Sequence, residues 1–175
     1  PFFVLATQNP IEQEGTYRLP EAQLDRFLFK ILVPYPSEVE EFEILNQFHH
    51  MANTDVVSSV SAVLQAEQIV NIRKKVKTLV IDEKLLQFIA KLINQTRNHK
   101  SIYLGASPRA SIAIMNASKS MAAINGRDFV TPEDILEVVP PVLRHRIILS
   151  PDKEMEGVTE DVVIKQILAS MDVPR

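Results

Sequence analysis

Two polar side chains, Asn9 and Arg109, stand where a phosphate could be met, and a third, Arg26, flanks a strand-like run. Asn9 follows the apolar run Phe2-Phe3-Val4-Leu5-Ala6 after Thr7-Gln8. An asparagine amide both donates and accepts. At the carboxyl end of a buried parallel strand, where open α/β sheets bind their ligands, it could orient a water or touch a phosphate oxygen. Asn9-Pro10 is also an ordinary turn signal. Arg26 precedes a second apolar run, Phe27 to Val33, and an ion pair with Asp25 or Glu21 would account for it. Arg109 follows Ser107-Pro108, a helix cap with proline at the first helical position. It therefore falls in a first turn, where free backbone N–H groups favour an anion. A solvated helix arginine is the plainer reading.

Other chemistry is poorly supplied. There is no cysteine, which excludes disulfides and thiolate metal sites and fits a reducing compartment. His49, His50 and His99 form no metal pattern with nearby carboxylates, and no nucleophile has a partnered base. No Gly-x-x-x-x-Gly-Lys-[Ser/Thr] loop occurs to cradle phosphates. Arg73-Lys74-Lys75-x-Lys77 reads as a solvated helix end, and Arg144-His145-Arg146 as structural or as a contact to nucleotide or a neighbouring subunit.

The elements that must position these residues divide near Pro34-Tyr35-Pro36. Before it lie two strand-like runs, Phe2 to Ala6 and Phe27 to Val33; a continuous apolar run suits a strand buried on both faces. After it the pattern is helical. Ser37 and Glu40 form a capping box, and Val39, Phe42, Leu45 and Phe48 recur at helical spacing. Thr54 to Ser61 reads as loop or short strand. Ala66, Ile69, Ile72 and Val76 share a face of the next helix. Asp82 caps another, with Leu85, Ile89, Leu92 and Thr96 in line. Ser107-Pro108 opens a long helix that Gly126 stops. Thr131-Pro132-Glu133-Asp134 caps the next, which Pro140-Pro141 is expected to end. Thr159 caps a last helix with Val163, Ile167 and Met171 inward. About five or six helices result, enough to bury a core, whereas two strands alone are not.

Composition narrows the class. The 175 residues are 46% hydrophobic and 23% charged, as in ordinary globular domains. A net charge of -3 disfavours a nucleic-acid binder held by phosphate contacts. No apolar run approaches the roughly 20 residues of a membrane helix, and no signal peptide is visible. The expectation is a cytoplasmic protein with no membrane insertion.

The stretch from Ala6-Thr7-Gln8-Asn9-Pro10 to Leu24-Asp25-Arg26-Phe27 resembles the MoxR family of AAA+ ATPases. Gly105-Ala106-Ser107-Pro108-Arg109-Ala110 resembles that family's second sensor. Gly126-Arg127-Asp128-Phe129-Val130-Thr131-Pro132-Glu133-Asp134 and Leu143-Arg144-His145-Arg146 resemble its lid. Arg18 departs from the pattern, standing where proline is expected, which bears on the loop's conformation.

The resemblance implies a mainly α fold: a helical-bundle AAA+ lid over residues 37–175, preceded by a two-strand remnant of the α/β P-loop core over residues 1–36. It implies that Asn9 is the first sensor, positioning the attacking water. Arg26 would be the arginine finger, reaching a neighbouring subunit's ATP, a device that contributes about 10³ to 10⁵ in rate in related hydrolases. Arg109 would be the second sensor, serving its own nucleotide or a neighbour's. ATP and Mg2+ are the implied cofactors. The implied partners are sibling subunits of a ring, expected to be a hexamer, and client proteins to be remodelled, von Willebrand factor A-domain proteins among them. Leu79-Val80-Ile81-Asp82-Glu83 imitates a Walker B strand but lies after Asn9, where the family places that strand before it. The Walker A and B segments are expected upstream of Pro1, so the 175-residue chain alone should be inactive. The competing expectation is a self-standing, non-enzymatic helical interaction module.

Overall fold

The computed structural model describes residues 3–8, 19–50 and 60–174. In chain order these form α1 (Glu21–Leu24), α2 (Glu38–His50), α3 (Ala66–Thr78), α4 (Glu83–Asn98), β1 (Ile102–Leu104), α5 (Pro108–Ile124), α6 (Pro132–Leu143), β2 (Ile148–Leu149), α7 (Pro151–Met155) and α8 (Glu160–Ala169). The fold is mainly helical, as the residue pattern predicts. Seven described helices follow Ser37 rather than five or six, because Ser150-Pro151 starts the short α7.

The caps explain where the helices begin. Ser37 and Glu40 bond reciprocally, with Ser37 N–H 2.8 Å from Glu40 Oε2. Asp82 Oδ1 accepts from Lys84 N at 2.7 Å. That fixes it as the N-cap of α4 and disposes of the Walker B imitation. Ser107 Oγ accepts from Arg109 N at 3.2 Å at the head of α5. Gly126, at φ 72°, turns the chain out of that helix in the left-handed region that glycine enters freely.

The core lies between residues 85 and 171. Leu85, Ile89, Leu92 and Thr96 of α4 are all buried, as are Val163, Ile167 and Met171 toward the chain's end. They close on α5 and on Ile135, Val138, Val139 and Val142 of α6. The expected inward faces of α4 and α8 are the observed ones. Val39, Phe42, Leu45 and Phe48 of α2 do form one stripe, yet each is about two-thirds exposed (66–69%).

Two expectations are corrected. Residues 3–6 and 27–33 join no strand ladder, and Phe27 and Leu28 lie in a bend. The two-stranded antiparallel sheet pairs β1 with β2 instead. Among the described residues no strand lies beside either run, and the backbone of residues 25–30 is bonded to side chains and to a helix end. Secondly, α6 continues through Pro140 and Pro141 to Leu143. Both prolines sit in its last turn. The missing N–H groups cost the bonds to Leu136 and Glu137, while Val142 and Leu143 remain fully buried and hold the turn. Asn9 and Arg18 lie outside the described residues, as do Phe2 and most of the Thr54 to Ser61 stretch.

The head of α6 is fixed by Asp134, which is 1% exposed. Its Oδ2 accepts from Thr131 N–H at 2.8 Å, and both its oxygens receive the Arg127 guanidinium at 2.5 and 2.7 Å. Burial pushes the Asp134 carboxyl upward, but bonds from Arg127 and Thr131 outweigh it and hold the value below the usual aspartate range. A depressed folded value means stability that is complete above the unfolded value of about 4 and is lost as pH falls through the folded one. Asp134→Asn is expected to cost about 3 kcal/mol at neutral pH. The gap in melting temperature between wild type and variant should then close below about pH 4. A gap unchanged down to pH 2 would contradict an ionised Asp134.

Candidate functional site

The site is assembled where residues 25–30 cross the carboxyl end of α6. The last four carbonyls of a helix lack intrahelical partners. Here each of them has one. Pro140 O accepts from Arg144 N (3.0 Å), Pro141 O from Lys30 N (2.9 Å), Leu143 O from Arg146 N (2.8 Å), and Val142 O from the Arg146 guanidinium. Arg144, His145 and Arg146 thus cluster at the negative end of the helix dipole, which favours cations.

Arg146 grips the crossing segment. It is 8% exposed. Its Nε donates to Asp25 Oδ1 at 3.0 Å, and its terminal nitrogens donate to the carbonyls of Asp25 (3.1 Å), Leu28 (3.0 Å) and Phe27. Burial pulls the guanidinium below its ordinary value and the Asp25 carboxylate opposes this; it stays a cation. Arg144 ties Lys30 O (3.1 Å) to Asp161 (3.0 Å). His145 Nε2 lies 3.0 Å from Phe27 O, so the ring donates there. Its buried Nδ1 has no partner among the described residues, and burial lowers the imidazole below the usual histidine range. The basic triplet is therefore structural, the first of the two readings its sequence allowed.

Asp25 is the centre of the crossing. Oδ1 takes Arg146, and Oδ2 accepts from Ser107 Oγ at 2.9 Å. The same Ser107 oxygen caps α5 at Arg109 N. One carboxylate therefore joins the residue before Arg26 to the cap just ahead of Arg109, over 82 positions of sequence. The loop carrying Ser107 is held from below. Ala106 N donates to Thr96 Oγ1 at 3.1 Å, and Arg97 Nε donates to Ala106 O at 2.9 Å. A Cβ at Gly105 would stand 2.6 Å from Arg97 Cα, so only glycine fits.

Arg26 and Arg109 then line one open cleft of about 410 Å³ together with Leu28, Ile112, Ala113, Asn116, Asp25 and Arg146. Both arginines are exposed, and neither makes an ion pair among the described residues. By contrast Arg127, Arg144 and Arg146 are each paired with an aspartate. The ion pair with Asp25 or Glu21 expected as the ordinary use of Arg26 is absent, and Asp25 is bonded to Ser107 and Arg146 instead. Asp25, Ser107 and Arg146 were not singled out as site residues by sequence. Sequence marks them only as an ion-pair partner for Arg26, a helix cap and one of a basic triplet. Among the described residues no three His, Asp or Glu side chains are grouped to hold a metal ion, and no helix is long and apolar enough to cross a membrane.

Comparison with known proteins bears on the family. The AAA lid domain family matches residues 94–167, and the ATPase family associated with various cellular activities (AAA) matches residues 1–29. The chain is 40% identical to the uncharacterized protein YeaC of Bacillus subtilis over 99% of its own length and 53% of the relative's. It is 38% identical to the chaperone MoxR1 of Mycobacterium tuberculosis, over 100% of its own length and 48% of the relative's. A crystal structure from Cytophaga hutchinsonii, provisionally described as an ATPase, superposes with a TM-score of 0.89 at 38% identity, covering 100% of this chain and 55% of that one. The chain thus spans about half the length of the relatives it matches. With the lid match falling on α4 to α8 and the AAA match on the segment carrying Arg26, the chain belongs to the MoxR family of AAA+ ATPases.

Proposed function

We propose that this chain supplies the phosphate-sensing arginines of a ring-forming ATPase and that Arg26 and Arg109 act on one nucleotide. The observation that carries the reading is their shared cleft, in which neither guanidinium has an ion-pair partner among the described residues while Arg146, which also lines it, is paired. Two unneutralised cations beside an apolar wall suit a polyphosphate with an organic base attached. Preorganised cations of this kind stabilise the charge that develops on a transferring phosphoryl group. Arg26 is assigned as the finger and Arg109 as the second sensor. If Arg26 reaches a neighbouring subunit's ATP, Arg109 reaches the same ATP, because one cleft of one chain holds both. Asn9 is assigned as the first sensor, orienting the attacking water.

The division proposed is residues 1–36 as the end of the ATPase core and 37–175 as the lid. Mg2+ would enter with the nucleotide, held by groups other than those described here. Hydrolysis by the whole ring, a hexamer in this reading, would remodel client proteins, with von Willebrand factor A-domain proteins as candidates.

The 175-residue chain carries no phosphate loop, so purified alone it is expected to show no Mg2+-dependent ATP turnover. In the intact protein Arg109→Ala is expected to lower turnover about 10²-fold, the usual cost of one preorganised donor. Turnover by the pure chain, or wild-type rates from the variant, would overturn the reading.

A further inference from the structure

We propose that Asp25 and Ser107 are positioning residues for the phosphate-sensing pair, fixing the distance between Arg26 and Arg109. The inference rests on the function proposed above and adds a part to it. Arg26 stands on a short turn after the four-residue α1, an element with no buried residue of its own. Nothing in that local structure would hold a guanidinium to within an ångström. Arg109 is on a well-packed helix, so its backbone is set by the core. The link between the loose and the firm element is the Asp25 carboxylate. It accepts from Ser107 Oγ (2.9 Å) and Arg146 Nε (3.0 Å), and Ser107 Oγ in turn accepts from Arg109 N (3.2 Å).

The link does a second thing. Asp25 is the acid adjacent to Arg26 and its natural partner. The carboxylate is instead oriented on Ser107 and Arg146, and among the described residues no ion pair neutralises Arg26 at the cleft. Arg146 in turn balances Asp25, so that Arg26 and Arg109 supply the cleft's uncompensated charge. Breaking the Ser107 bond would free one Asp25 oxygen to turn on Arg26, moving the guanidinium and quenching its charge together. Arg146 alone would not prevent this, since it binds only Oδ1 and backbone carbonyls.

The test is steady-state ATP turnover by the intact protein. Ser107→Ala and Asp25→Asn are each expected to lower kcat about tenfold or more, because displacement of a reacting group by about 1 Å can cost up to 10²-fold. KM for ATP should move less than about threefold, since the pair acts on the transition state rather than on ground-state binding. Ser107→Thr, which keeps the hydroxyl, should restore most of kcat. Threonine also restores the α5 cap, so a capping role alone is told apart by Asp25→Asn, which leaves the Ser107–Arg109 bond in place and should still lower kcat. The double variant should fall little further than either single one, as the two share one bond. Ser107→Ala keeps the measurement decisive if Asp25→Asn folds poorly. Arg26→Ala separates the layers. If it abolishes turnover while Ser107→Ala runs at the wild-type rate, the positioning proposal is wrong and the functional reading stands. If Arg26→Ala itself runs at the wild-type rate, the functional reading fails first. A parallel rise in KM and fall in melting temperature that Ser107→Thr does not rescue would also overturn the positioning role.

Discussion

Arg26→Ala is expected to lower ATP turnover by the intact protein about 10³-fold or more, with nucleotide affinity within about threefold of wild type. The size follows from what the guanidinium faces. It is exposed at an open cleft, carries no ionic partner among the described residues, and lines that cleft together with Arg109. A cation held ready in this way is worth most when phosphoryl charge develops, and little when ground-state nucleotide binds. Arg26→Lys should recover little of the loss. An ammonium is a point charge on a flexible stem and cannot present the planar fork that spans two phosphate oxygens. If Arg26 works across a subunit boundary, mixing helps to show it. Rings of Arg26→Ala blended with rings disabled in the phosphate loop should regain turnover, because some interfaces then join an intact arginine to an intact loop. Neither parent alone contains such an interface. Wild-type turnover by Arg26→Ala, or mixed rings no faster than their parents, would argue against an arginine acting on a neighbour's nucleotide.

What the sequence makes legible here is local. Caps at Ser37, Asp82, Ser107 and Thr131 are chemical signals contained within four residues, and the helices begin where those residues say. The faces of α4 and α8 are legible because the 3.6-residue period selects one stripe and the core lies under it. For α2 the same period selects Val39, Phe42, Leu45 and Phe48, but the stripe is exposed. Periodicity shows that a helix has an apolar face and not what covers it. The runs at 3–6 and 27–33 fail as strands for a related reason. A strand is defined by its neighbours, and the hydrogen bonds of residues 25–30 go to Pro141 O, Arg144, His145 and Arg146. β1 and β2 are three and two residues long, below the length at which alternation gives any signal.

The site divides in the same way. Arg26 and Arg109 could be named because residue type and resemblance point to them. Their meeting in one cleft could not be read, since it depends on Asp25, Ser107 and Arg146, bonded across 82 and 121 positions. An aspartate beside an arginine suggests an ion pair between the two, and here the folded chain gives that aspartate to other donors.

Arg146→Met is the substitution expected to do most damage to this arrangement while leaving the helical core in place. The methionine keeps much of the stem's apolar bulk, so what is lost is the fork. Without it the Asp25 carboxylate loses a buried partner, and the carbonyls of Asp25, Leu28, Phe27 and Val142 lose their Arg146 donors. Removing one member of a buried ion pair costs about 3–5 kcal/mol, largely because the other charge is left uncompensated. That penalty falls on the docking of residues 25–30 rather than on α4, whose Leu92 and Ile93 are buried in the core and make no bond to Arg146. Hydrogen exchange separates the two. The Lys30 amide, bonded to Pro141 O at 2.9 Å, should lose protection by about 10² or more, while the amides of Leu92 and Ile93 keep theirs. Arg146→Lys should recover only a part, because a lysine retains the charge for Asp25 but cannot serve several carbonyls at once. Since Arg26 rides on the released segment, turnover should fall with Lys30 protection across the two variants. Unchanged Lys30 protection in Arg146→Met would place the anchor of this segment elsewhere, on Arg144 and His145, and would remove Arg146 from the path that sets the arginine pair.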